Sequence, residues 1–258
     1  MLKKSTIFAA IMLASTSTAH ADLFDISAGL NLWNTNMNVR SYYYGLSNKN
    51  NFKDENQIKP VVWAKIEHKI PVLPNLKLRY TDLDHQSRKI ISNDFALDNN
   101  RYTEQSKVTI ETKLSHLDVT PYYNTVNNDT MSLGIGLNLK IGDFKFKATD
   151  GTYPSESNLR DISIYPYICT EIKLPFDISI KGDASGLNIA GSNDILIYDS
   201  EIVLAWKMFD VTDVDASLEA GYRRIYAIYK DDFDEHHGTD LELKYKSKGF
   251  FAGISVNY

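Results

Sequence analysis

The amino-acid sequence predicts an all-β fold: a transmembrane up-and-down antiparallel β-barrel of about ten strands. Three observations predict it. Apolar and polar residues alternate with period two through most of the chain. The connections between alternating stretches are long and short by turns, as in outer-membrane barrels. An export-type leader opens the sequence, and an alternating stretch ending in Tyr258 closes it.

The leader is "MLKKSTIFAAIMLASTSTAHA", basic at Lys3 and Lys4, apolar from Ile7 to Ala14, and closed by Ala19-His20-Ala21. This is the layout of a signal peptide with an A-x-A cleavage site, and its apolar run is too short to span a bilayer. Residues 1–21 are therefore expected to be removed after Sec-type export, leaving 22–258 as a single barrel domain. Cys169 is the one cysteine, so no intramolecular disulfide can staple the exported chain. A net charge of -5 and a pI near 5.7 argue against a nucleic-acid partner, which would call for a concentrated basic surface. Mean hydropathy is -0.31, but hydropathy is blind to strands that average an apolar and a polar face.

The strands follow in order. "FDISAGLNLWN" (24–34) sets Ile26, Ala28, Leu30 and Leu32 against Asp25, Ser27, Gly29 and Asn31. "PVVWAKIEHKI" (60–70) sets Val62, Ala64 and Ile66 against Trp63, Lys65 and Glu67. "NLKLRYTD" (75–82) sets Leu76, Leu78 and Tyr80 against Lys77, Arg79 and Thr81. In "SKVTIETKL" (106–114) the apolar set is Val108, Ile110 and Leu114, opposed by Lys107, Glu111 and Lys113. "MSLGIGLNLKI" (131–141), "DISIYPYICTEIK" (161–173), "FDISIKGD" (176–183), "SEIVLAWKM" (200–208) and "DASLEAGYRRIYAIY" (215–229) continue the pattern. The tenth runs from about Asp240 to Tyr258, with a phase change near Gly249 that reads as a β-bulge. Two of these stretches are long enough to be divided, so eight or twelve strands also fit.

Long connections are expected at 34–57, 84–105 and 148–160, and tight ones at 71–75, 127–129, 173–176 and 209–213. Short periplasmic turns and long external loops put both chain ends on the periplasmic side.

A spanning sheet must close, because every backbone polar group in lipid needs a partner. One face then meets lipid and the other the bore. The charged residues expected to line the bore are Lys65, Glu67, Lys77, Arg79, Lys107, Glu111, Lys113, Lys140, Glu171, Lys181, Glu219 and Arg223. Both signs are present, and narrow barrels are filled by their own side chains. A plugged, polar bore is expected. Among 16 Tyr, 11 Phe and 3 Trp, the tyrosines at 42–44, 122, 123, 222 and 226 are expected at the membrane boundary. Phe250, Ala252, Ile254, Val256 and Tyr258 have the spacing of the terminal signal that outer-membrane barrels present to their assembly machinery.

The stretches "SAGLNLWN" (27–34), "VWAKIEHKIPVLPNLKLRYTDL" (62–83) and "LDVTPYYNTVNND" (117–129) resemble a mostly uncharacterised family of Gram-negative outer-membrane β-barrel proteins of about this length, named partly for a Gly-Gly pair. The likeness runs through the mature chain, although adjacent glycines do not occur in it. It implies an outer-membrane barrel and no particular activity.

Chemistry-bearing motifs are sparse. No G-x-S-x-G, P-loop, H-E-x-x-H or dinucleotide fingerprint occurs. Asp84, His85 and Ser87 in "DLDHQS" place a nucleophile system's residue types together, but a polar loop explains them as well. The stretch "KDDFDEHHGTD" groups Asp231, Asp232, Asp234, His236 and His237, weak candidates for a metal and better read as a solvated acidic loop. No cofactor, no metal and no catalytic residue are expected. The expected role is structural or passive binding, with a narrow channel and a membrane-embedded lipid-modifying enzyme as rivals. Expected partners are the outer-membrane bilayer, lipopolysaccharide, the barrel-assembly machinery and periplasmic chaperones in transit.

Overall fold

Branched and aromatic side chains at every second position favour extended backbone, since they pack well on a pleated surface. The computed structural model describes residues 23–43, 49–53, 55–92, 94–97, 100–152, 154–186, 195–211, 214–231 and 241–258. Among these there are strands and no helix. In chain order they are β1 (Phe24–Tyr43), β2 (Lys49–Lys53), β3 (Gln57–His68), β4 (Asn75–Thr81), β5 (His85–Ile90), β6 (Phe95–Leu97), β7 (Asn100–Tyr102), β8 (Lys107–Lys113), β9 (His116–Asn127), β10 (Met131–Thr149), β11 (Pro154–Leu174), β12 (Ile178–Ser185), β13 (Ile195–Val211), β14 (Val214–Asp231) and β15 (Leu241–Asn257).

Ten of them close a barrel in the order β1, β3, β4, β9, β10, β11, β12, β13, β14, β15 and back to β1, all pairs antiparallel. This is the expected strand number. Closure runs along the β1–β15 ladder, from Ser27 opposite Asn257 to Tyr43 opposite Leu241. Ile26 and Tyr258 exchange both backbone hydrogen bonds beyond it, at 2.9 and 2.8 Å. β2, β5 and β8 prolong the barrel past short breaks in three of its staves. At one break the Ser115 hydroxyl accepts the Leu83 N–H at 3.0 Å and donates to Asp84 at 2.8 Å, so the interrupted backbone keeps a partner.

The polarity of the wall inverts along its height. On the half carrying the chain ends and the tight turns, the outer face is apolar: Leu30, Leu32, Ile135, Leu137, Ile168, Ile202, Leu204, Trp206, Ile254 and Val256 point outward, most of them about half exposed. From Phe24 to Leu32 this belt is nine residues tall on β1, within the roughly 9 to 11 residues that a tilted strand needs to cross a bilayer. Beyond it the parity of each strand stays the same, yet the outer residues become polar and the inner ones apolar. β1 continues outward as Asn34, Asn36, Asn38 and Arg40, and inward as Trp33, Met37 and Val39, each at most 1% exposed. The upper wall thus has the polarity of a water-facing barrel, with a mainly apolar core that includes Trp33, Met37, Val39, Phe52, Leu83, Val108, Ile110, Ile225, Tyr245 and Phe251.

Four expectations are corrected by this inversion. The long connections at 34–57, 84–105 and 148–160 are largely strand, because their apolar residues have an interior to fill above the membrane. Lys107 and Lys113 are exposed and Glu111 is half-exposed on the outer face of β8, while Val108, Ile110 and Thr112 face inward. These three charged residues do not line the bore. The phase change at Gly249 is no bulge: the β14–β15 and β1–β15 registers pass through it unbroken. The register slips instead between Leu133 and Gly134 and between Lys207 and Phe209. Tyr122 points into the bore rather than to the boundary, where Tyr222 does sit, edge-on to Phe250 at 5.1 Å between centroids.

The expected leader (1–21) lies outside the described residues, as do Asp232, Asp234, His236 and His237; Asp231 ends β14 with its side chain undescribed. Phe250, Ala252, Ile254 and Val256 share the outer face of β15, with Tyr258 half-buried just past its end.

Candidate functional site: the bore

Antiparallel pairing carries the inward positions of neighbouring strands to common levels, so side chains far apart in sequence meet across the bore. Three levels follow one another from the turn end upward.

The lowest is open. A cavity of about 670 Å³ is lined by Asp25, Trp63, Lys65, Glu67, Glu171 and Lys181 among others, and bordered by the residues of the tight turns. Lys65 and Glu67 pair at 2.6 Å. Glu67 also accepts the Tyr122 hydroxyl at 2.8 Å and the Asn124 amide at 3.1 Å. Across the cavity Lys181 pairs with Glu219 at 3.5 Å. Two inner-wall glycines make room for rings: a Cβ on Gly29 would lie 2.5 Å from the Trp63 indole, and one on Gly221 would lie 2.4 Å from the Phe251 ring.

The middle level is filled by charge. Arg79 is its hub, reaching Asp118 at 3.2 Å, Asp183 at 3.3 Å, Asp199 at 3.1 Å and Glu201 at 3.1 Å. Arg223 grips Asp199 through Nε at 3.0 Å and Nη2 at 2.6 Å, and donates from Nη1 to the Thr81 hydroxyl at 3.0 Å. Lys140 reaches Asp118 at 2.5 Å and Asp199 at 3.6 Å. Lys77 pairs with Asp183 and lies 3.4 Å from Glu201. Lys77, Arg79, Lys140 and Arg223 thus face Asp118, Asp183, Asp199 and Glu201, and the formal charges cancel. Buried charge is tolerable only when paired and hydrogen-bonded in this way.

The third level is the apolar core of the upper barrel. The Arg223 guanidinium lies 5.3 Å from the centre of the Trp33 ring, which joins the two levels through a cation–π contact. The indole N–H donates to the Gly249 carbonyl at 3.0 Å.

Of the residues expected in the bore, Lys77, Arg79, Lys140 and Arg223 come together in the network, while Lys65, Glu67, Glu171, Lys181 and Glu219 surround the open cavity. The anions of the network were missed by the sequence reading. Asp118, Asp183, Asp199 and Glu201 each hold the polar parity of an alternating strand, as "IYDSEIVLAW" shows for the last two. Cys169 points inward beside the cavity, as its parity implies. Asp84, His85 and Ser87 are not assembled into a catalytic group. His85 and Ser87 are buried on the inner face, and Asp84 is exposed on the outer one.

His116, Asp118 and Asp199 bring ligand atoms within 4.8 Å of one another. Their carboxylates are already held by Lys140, Arg79 and Arg223, and a divalent cation would have to displace those charges. The donor set does not fit a metal.

No protein-family model and no curated protein matches the chain. Among solved structures, the outer membrane protease OmpT from Escherichia coli superposes with a TM-score of 0.56 at 10% identity, covering 95% of this chain and 99% of that one. The transport unit of the autotransporter AIDA-I from Escherichia coli gives 0.41 at 10% identity over 94% and 96% of the two chains. Ail, the attachment invasion locus protein of Yersinia pestis, gives 0.33 at 10% identity over 88% and 97%. Likeness at this identity concerns architecture and carries no activity across. The chain has the β-barrel fold of the outer-membrane protein OmpT, and none of these comparisons identifies the Gly-Gly family.

Proposed function

We propose that this protein is a non-conducting outer-membrane barrel with a structural or passive binding role, without catalysis and without a cofactor. One observation carries the reading: the bore is filled by a charge-balanced network and then by a closely packed, mainly apolar layer directly above it. An ion entering from the turn end meets fixed pairs of cancelling charge, and then a largely apolar layer in which the buried hydroxyls of Thr35 and Ser247 already bond each other. The cavity below is lined by the tight turns and lies under the filled charge network, so passive binding of a small polar solute fits it better than passage. Delivery by periplasmic chaperones and insertion by the barrel-assembly machinery, reading the outward residues Phe250 to Val256 and Tyr258, complete the proposal.

The test is single-channel recording of the refolded mature chain in planar bilayers. A flat baseline at up to 150 mV in either polarity is expected. Steady, reproducible conductance steps would overturn the plugged-bore reading. Catalysis is tested separately by assaying lipid A and phospholipid modification with the intact protein. Turnover abolished by His85→Ala and Ser87→Ala would overturn the non-enzymatic reading.

A further inference from the structure

The first polar rows above the lipid belt are not alike around the barrel. On the face made by β14, β15 and β1 they are basic. The outermost apolar row carries Tyr222 and Phe250. One step further out, Arg224 stands directly opposite Lys248. The next row places Tyr226, Lys246 and Asn38 side by side, with Lys53 of β2 opposite Asn38. The row after that sets Lys244 between Ile228 and Arg40. All six cations are exposed or half-exposed on the outer surface. In these rows β14, β15 and β1 carry no acidic residue; Glu242 lies one row further out and Glu55 in the break between β2 and β3.

The opposite flank is built differently. There Lys145 pairs with Glu156 at 3.3 Å, and the Gln86 amide donates to Glu111 at 3.1 Å. That flank therefore carries acidic partners among its cations, although Lys113 also stands opposite Lys145 there.

Like charges placed directly across a ladder destabilise a sheet, so Arg224 facing Lys248 is a cost that a bound anion would remove. Slight burial and then the charges of Arg224, Lys248 and Arg40 hold the Lys246 ammonium below its usual pKa, as crowding among like charges does. Height fixes the identity of that anion. The patch begins one row above the acyl-chain belt, at the depth of lipid headgroups. With strands about 4.8 Å apart and a rise of about 3.3 Å per residue, it covers about 14 by 13 Å, more than one phosphate occupies. Arg provides a planar fork for phosphate oxygens and Lys a point charge.

We infer that the β14–β15–β1 face is a binding site for the phosphorylated headgroup of the outer-leaflet glycolipid, lipopolysaccharide, with Arg224 and Lys248 at its centre and the acyl chains lying on the belt below. It goes beyond the plugged-bore reading and does not depend on it.

The test titrates the refolded mature protein in neutral detergent with bisphosphorylated lipid A, with dephosphorylated lipid A and with inorganic phosphate, reading bound lipid by native mass spectrometry. Wild type is expected to prefer the bisphosphorylated form by about tenfold or more. Arg224→Gln with Lys248→Gln is expected to weaken that binding about tenfold, and Lys107→Gln with Lys113→Gln on β8 to leave it unchanged. Folded protein is verified in each case by heat-modifiability on a gel, and Arg40→Gln with Lys53→Gln provides a second pair at the edge of the patch. Equal affinity for the two lipid forms, equal losses from the β14–β15 and β8 variants, or displacement of the lipid by equimolar inorganic phosphate would each overturn the assignment.

Discussion

Arg79 concentrates more of the bore's energetics than any other side chain described, since four carboxylates depend on it. Removing one partner of a buried pair strands the others, which costs about 3–5 kcal/mol. Arg79→Met is therefore expected to lower stability by about that amount in urea titration of the refolded protein. An unchanged midpoint would show that the network is compensated by water. Trp33 makes the matching case for the upper core. It is fully buried, and Trp33→Ala should cost about 3–5 kcal/mol in the same assay. At the surface, Asp94 accepts the Glu104 N–H at 2.6 Å and an Arg101 Nη at 2.8 Å. These bonds, the backbone one first, hold its carboxyl below the ordinary value of 3.8. The stabilisation is present above pH 3.8 and is lost as pH falls through the depressed folded value. A carboxyl-carbon NMR titration of Asp94 should give a midpoint below 3.8, and one at or above it would remove the bonds from the account.

At the scale of the strand, depth decides what a substitution costs. Ile254 lies on the outer face in mid-belt, opposite Leu30 and Leu218. Ile254→Lys should destabilise by about 2–4 kcal/mol in lipid vesicles, whereas Gln86→Lys, exposed on β5 opposite Glu111 in the solvated rows, should be nearly neutral. Comparable losses at both positions would contradict the placement of the belt. The same depth dependence explains what the sequence revealed and what it hid. β1, β3, β4, β12 and β15 were legible within the belt, where apolar means outward. Above it the rule reverses, and a reader who keeps one rule must either flip the strand or call it a loop. Val108 and Ile110 were turned outward for that reason, Gly249 became a bulge, and "NTNMNVRSYY" became a connection. The bore's cations were found because Lys and Arg stand out beside apolar neighbours. Their anions Asp118, Asp183, Asp199 and Glu201 sit at equally regular positions, but which carboxylate meets which cation depends on registers between distant strands.

For the whole molecule, height organises everything else. A section with an apolar outer belt and a polar interior, open at its foot and filled above, supports a second section of reversed polarity, and the two share the same ten staves without a domain boundary. On the proposed reading the seal is double, and single substitutions should not open it: Arg79→Met is expected to leave bilayer conductance at baseline even where it weakens the fold. Conductance appearing in that variant would mean that the apolar layer alone does not close the bore. The cations Arg224, Lys246 and Lys248 on the outer wall of the upper section have a mechanical counterpart as well. Were the seated molecule to slide back toward the periplasm, these three would be drawn into hydrocarbon, at a cost approaching about 2–4 kcal/mol for each near the midplane. The same cost opposes their passage on the way in, so these cations fix the depth at which the seated barrel rests.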